Sequence, residues 1–156
     1  MSSAVMIVSL AVHILAAVAW VGGMLFAHVV LRPAALPLDP PLRLALWRRV
    51  LGRFLPIAGL SVGLLLLSGY AMVVLGFGGF HGLAMYINLM QGIGLIMMLL
   101  FLHLVFAPWK RFRLALDAGD LAEAARRLAQ IRLIVTVNLI LGLLTIVIGS
   151  TGRYWT

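Results

Sequence analysis

The chain has 156 residues and a net charge of +8; 64% of its residues are hydrophobic, only 10% are charged and none is cysteine. A soluble domain of this length could not cover so much apolar surface, so the composition excludes a soluble fold and points to an integral membrane protein. The missing cysteines exclude disulfides, thiolate metal sites and thiol chemistry.

Four apolar stretches reach the roughly 20 residues that a membrane helix needs. Helices are predicted over 4–31, 42–77, 83–107 and 120–150. The whole chain, 1–156, reads as one all-α domain: a four-transmembrane-helix bundle of two helical hairpins related by a pseudo-two-fold axis. The first stretch is too long for a signal-peptide core and lacks a basic leader, so it is expected to remain as a mature helix. Pro33 is expected to stop it, and the Pro-rich segment 33–41 reads as a loop. Pro56 falls inside the second helix, where a local kink is expected. Residues 76–82, rich in glycine and including His81, read as a flexible loop. Asp120 followed by Glu123 marks the start of the fourth helix. At 1.5 Å per residue that helix spans about 45 Å, so its first turns should project from the bilayer as an amphipathic stalk.

Arg32, Arg43, Arg48, Arg49 and Arg53 surround the first loop. Lys110, Arg111, Arg113, Arg126, Arg127 and Arg132 surround the third. The 77–82 loop has no Lys or Arg. The positive-inside rule then puts loops one and three in the cytoplasm and both termini outside, in a bacterial-type inner membrane. This distribution suits anionic headgroups of the lipid bilayer and argues against nucleic acid as a partner.

One pattern occurs twice. Phe26-Ala27-His28-Val29-Val30-Leu31-Arg32-Pro33 and Phe101-Leu102-His103-Leu104-Val105-Phe106-Ala107-Pro108 both read F-x-H-x-V-x-x-P or a close variant of it. Arg48-Arg49 with Arg53 has a counterpart in Arg126-Arg127 with Arg132, which extends the repeat. Parallel repeats of this kind are related by an axis along the membrane normal. In an up-down bundle the first and third helices are diagonal and run the same way, so His28 and His103 are expected to be level and to face each other. Two neutral imidazoles across an apolar core suit haem b iron, and Arg53 with Arg132 would hold the propionates, Arg48 or Arg49 assisting.

Fifteen residues towards the other leaflet stands His13, with Asn88 at the matching level. These two, with Tyr86 and Gln91, are the expected lining of an outer pocket for a substrate, a quinone or a proton, with His13 a candidate for a second metal site. Met24, Met72, Met90, Met97 and Met98 read as core fillers or as soft copper(I) ligands. Ser61, Ser68, Thr136, Asn138 and Thr145 read as interhelical hydrogen-bond glue, and Gly59 with Gly63 as a close-packing face.

The segment Val12-His13-Ile14-Leu15-Ala16-Ala17-Val18-Ala19-Trp20-Val21-Gly22-Gly23, followed by Leu31-Arg32-Pro33, resembles the first helix of the copper resistance D (CopD) domain. It is more distantly similar to HemJ-type protoporphyrinogen oxidases. The resemblance implies a four-helix inner-membrane protein with haem b or copper involvement, in which His13 carries the family's helix-1 histidine. Asn88 stands where both families place a lysine, which separates this chain from the HemJ enzymes. The resulting expectation is a bis-His haem b protein for electron transfer or haem-based redox chemistry. As an enzyme it would be a haem-dependent membrane oxidoreductase. The candidate partners are a quinone, a porphyrin, a redox protein, a second copy in a homodimer, or a larger membrane complex. The alternatives are a copper-handling CopD-like permease, with His13 receiving copper(I) at the outer side, and a structural accessory subunit.

Overall fold

The computed structural model describes residues 3–155. Four helices contain all the regular structure among them: α1 (Ala4–Ala34), α2 (Pro40–Gly76), α3 (Met85–Asp117) and α4 (Leu121–Tyr154). Each is long and apolar enough to cross a membrane. Their apolar residues do not stop at the core face. Leu67 and Phe106 are each 73% exposed, as lipid-facing side chains are and soluble-core side chains are not.

The helices run up and down as two antiparallel hairpins, α1–α2 and α3–α4, and α4 joins the hairpins by packing on α1 and α2. Small residues set the register. In α2, Gly76 receives the Met6 thioether of α1, while in α1 Gly23 receives the Phe54 ring of α2. Gly149 and Gly142 of α4 receive Met90 and Met97 of α3, and Gly142 also receives Val21 of α1. Phe101 of α3 lies over Gly59 of α2, which is what that glycine is for in this bundle. The packing is richest within the α1–α2 and α3–α4 hairpins. All the clustered arginines lie at one end, termed here the basic end; the opposite, neutral end carries the 77–84 turn.

Two helix boundaries differ from expectation because proline is absorbed rather than obeyed. Pro33 does not stop α1: the chain widens into a π-turn over Phe26–Leu31, and the helix closes at Ala34. Pro108 lies inside a second π-turn, Val105–Trp109, and α3 continues to Asp117. An extra residue in the turn relieves the clash between the proline ring and the carbonyl one turn back. Both F-x-H repeats therefore share a π-turn near their proline as well as their residues. Pro56 lies within helix that runs unbroken from Pro40 to Ala71.

The stalk expected from α4 is two-stranded. The end of α3 folds back beside the start of α4, burying Phe112 and Ala115 against a layer with Ala124, Leu128, Leu44 and Trp47. Asp120 caps α4, accepting the Glu123 backbone N–H at 2.9 Å. Glu123 does not reach back to complete a capping box; its carboxylate pairs with Arg126 and Arg127. Asp120→Ala should cost about 1 kcal/mol of stability, the usual worth of such a cap. Thermal unfolding followed by circular dichroism checks this, and an unchanged midpoint would show the stalk to be decoupled from the bundle.

Candidate functional site

A cavity of about 620 Å³ opens between the four helices in the neutral half of the bundle. Its floor is Trp20, Val21 and Met97. Trp20 is 3% exposed and meets Phe101 edge-on at 5.9 Å, closing the way to the basic end. Met6, Met72, Met90, Met97 and Met98 all line it, with His13, Tyr86, Gln91 and Thr145 as its chief polar groups. No residue lining it is an aspartate, glutamate, lysine or arginine.

His13 is held by α2. Its Nδ1 lies 3.0 Å from Ser68 Oγ, and the Ser68 hydroxyl already donates to the Leu64 carbonyl of its own helix. A hydroxyl has one proton, so Nδ1 is the donor in this contact. Donation from Nδ1 satisfies both contacts at once, which favours the Nδ1–H tautomer with its lone pair on Nε2. Gly69 makes the seat possible: a Cβ there would stand 3.3 Å from His13 Cε1. A partner that fixes the tautomer and aims the ring is what a metal-ligating histidine commonly has.

His28 repeats the device at the other level. Its Nδ1 lies 3.3 Å from Thr136 Oγ1, whose proton goes to the Arg132 carbonyl at 2.8 Å. Again Nδ1 donates and Nε2 is left basic. His28 thus turns towards α4. His103 does not meet it. The buried stripe of α3 runs Met97, Phe101, Leu104, Pro108, and at about 100° per residue His103 falls on the far side of the helix, where it is exposed. Arg53 is likewise exposed, and Arg48 is engaged by Asp117. Arg132 lies over the Trp47 ring. His28 and Arg132 are joined through Thr136, but His103 and Arg53 are exposed, so the four residues expected to form a haem pocket do not converge.

The outer pocket is assembled differently from expectation at one position. His13, Tyr86 and Gln91 line the cavity, and Gln91 Nε2 is buried there without a hydrogen-bond partner. Asn88 is exposed and donates to the Leu83 carbonyl at the start of α3. Met6 and Trp20 joined the site unannounced; each lies seven residues, about two turns, from His13, and that helical spacing places both on the same face of α1. Among the expected glue residues, Ser68 and Thr136 seat the histidines, and Asn138 donates to the Met97 carbonyl at 3.2 Å, tying α4 to the cavity floor. Ser61 and Thr145 bond only their own helices. Among the described residues no group of three or more His, Asp or Glu is placed to hold a metal, so any ligand set here must draw on the thioethers.

No curated relative and no solved structure matches the chain. A family model described as copper resistance protein D matches residues 48–151, which span α2, α3 and most of α4. That stretch begins beyond the α1 segment whose His13 and Trp-x-Gly-Gly carried the resemblance in the sequence, so the two likenesses rest on different residues. With about two thirds of its length matched and four membrane-capable helices, the chain belongs to the copper resistance protein D (CopD) family.

Proposed function

We propose that this protein handles copper(I) as its substrate, admitting the ion to the neutral-end cavity and holding it there on thioethers and His13 Nε2. What carries the reading is the lining: five methionines and one tautomer-fixed histidine around an apolar chamber with no carboxylate. Soft thioether and imidazole donors suit copper(I), whereas calcium and magnesium demand oxygen ligands that this wall does not offer. The family assignment points the same way. The clustered arginines favour an orientation with the basic end in the cytoplasm, so that the cavity opens outward in a bacterial-type inner membrane.

The test is metal retention. Purified in detergent under anaerobic reducing conditions, the protein should keep stoichiometric copper(I) through desalting and should not keep zinc(II). Replacing Met90 and Met98 together by leucine preserves volume, at a cost below about 1.5 kcal/mol each, while removing two thioethers. The double variant should fold and lose copper(I). Equal retention by the variant would overturn the proposal. So would a copper-free protein with a Soret band that disappears in His13→Ala, an outcome that would make the chamber a porphyrin site.

A further inference from the structure

The basic end contains a second unclaimed polar site, whose Arg32 lies about 28 Å along α1 from His13 by helical rise. Arg132 projects from α4 with its guanidinium carbon 5.8 Å from the centre of the Trp47 ring. Its Nε is buried and has no hydrogen-bond partner. Trp47 is only 5% exposed, and its indole Nε1 is also buried without a partner. The stacked pair thus carries two orphaned donors. Arg43 stands one turn before Trp47 on the same helix, and Arg32 lies in the last turn of α1 at the same end of the bundle, so both add positive charge on the side of Arg132. Arg43 is held in place by donating to the Leu36 carbonyl of the first loop at 3.2 Å.

No carboxylate offsets this cluster. The chain has four acidic residues. Asp117 pairs with Arg48, Asp120 caps α4, and Glu123 pairs with Arg126 and Arg127. The fourth, Asp39, forms no ion pair among the described residues, although it stands one turn before Arg43. Like charges that converge on a half-buried guanidinium repel unless an anion joins them, and buried donors left unpaired are costly. The missing partner is therefore an anion with several acceptor oxygens.

We propose that Arg132, Arg43, Arg32 and Trp47 form a phosphate-recognition site at the basic end, taking a phosphate group presented by an anionic phospholipid or free in solution. Guanidinium forks match phosphate oxygens in pairs, and a tetrahedral anion can meet three of them at once. The indole N–H offers a further donor at the interfacial depth where tryptophan is favoured. This site is separate from the copper chamber. Thr136 links it to the His28 level, since the Thr136 hydroxyl donates to the Arg132 carbonyl.

Detergent-solubilised protein titrated with phosphatidylglycerol, phosphatidylcholine and inorganic phosphate separates the sources. Native mass spectrometry counts bound lipid and a thermal midpoint reports stabilisation. Phosphatidylglycerol should bind tightly and raise the midpoint while phosphatidylcholine does not. Arg132→Gln with Arg43→Gln should weaken that binding at least tenfold. Arg111→Gln with Arg126→Gln, which removes the same charge from the same end, should leave it within twofold. Arg132→Lys keeps the charge and removes the fork; it should weaken binding in a chain whose helicity and elution are unchanged, which excludes misfolding as the cause. If inorganic phosphate stabilises with the same residue dependence and the lipid does not, the phosphate chemistry stands with a soluble source. Equal losses in the two double variants would reduce the effect to bulk charge and overturn the site, as would the absence of binding by both ligands.

Discussion

If His13 is the proposed copper(I) ligand, His13→Ala should lower the affinity of the purified protein for copper(I) by more than about 100-fold, because losing a ligand exceeds the roughly 10- to 100-fold that losing a ligand's supporting partner costs. Ser68→Ala falls within that lower band. It leaves the imidazole in place but frees Nδ1 from its acceptor, so both tautomers are populated and the ring can turn. His13→Met recovers part of the affinity, since a thioether is also a soft donor. His28→Ala does not alter it, because His28 lies below the Trp20–Phe101 floor and lines no part of the chamber. Competition against a chromogenic copper(I) chelator under anaerobic conditions measures all four. An affinity unchanged in His13→Ala, or one lost equally in His28→Ala, would remove His13 from the site.

Gly142→Leu should strongly destabilise the bundle. An added Cβ at Gly142 lies 2.8 Å from Val21 Cγ2 and 3.2 Å from Met97 Cε, where relaxed carbon contacts need about 3.5–4.0 Å. Leaving glycine improves helix propensity by about 1 kcal/mol. Overpacking costs about 1–3 kcal/mol, and here three helices meet at one point, so the upper part of that range applies and packing wins. The thermal midpoint should fall, and copper(I) affinity should fall with it because the new side chain intrudes on the chamber floor. Gly92→Ala is the control of opposite sign: its Cβ meets nothing within 4 Å, and only the propensity gain remains. A midpoint that rises in Gly142→Leu would show that the close approach of α1, α3 and α4 is not a constraint.

The number of helices, their hairpin pairing and the basic end were legible from apolar run lengths and the placement of arginine. The Asp120 start of α4 was legible because capping is local. The helix ends were less so, because Pro33 and Pro108 are accommodated by π-turns whose cost depends on neighbouring helices rather than on the proline itself. The level of the two repeated histidines follows from counting residues, and they do lie at similar depth, since Val21 and Met97 meet at Gly142. Their facing does not follow. In a soluble helix the polar stripe marks the outside; in α3, Leu102, Leu104 and Phe106 are all apolar although only Leu104 is buried. Lipid and core accept the same side chains, so the pattern carries no direction that would have put His103 outside. Trp47 had no sequence signal beyond being an aromatic residue beside Arg48 and Arg49 at a membrane boundary.

The chamber's wall has no fixed charge, and this governs what drives an ion through it. A monovalent cation held by neutral thioethers and a neutral imidazole keeps its whole charge, so any step that moves the proposed ion along the membrane field is electrogenic. Each elementary charge carried across the full membrane gains or loses about 2.3 kcal/mol per 100 mV. In the proposed orientation, with the arginine-rich end towards an electrically negative cytoplasm, the resting voltage would bias the proposed copper(I) entry inward, and collapsing that voltage with an ionophore would slow the flux without altering equilibrium affinity.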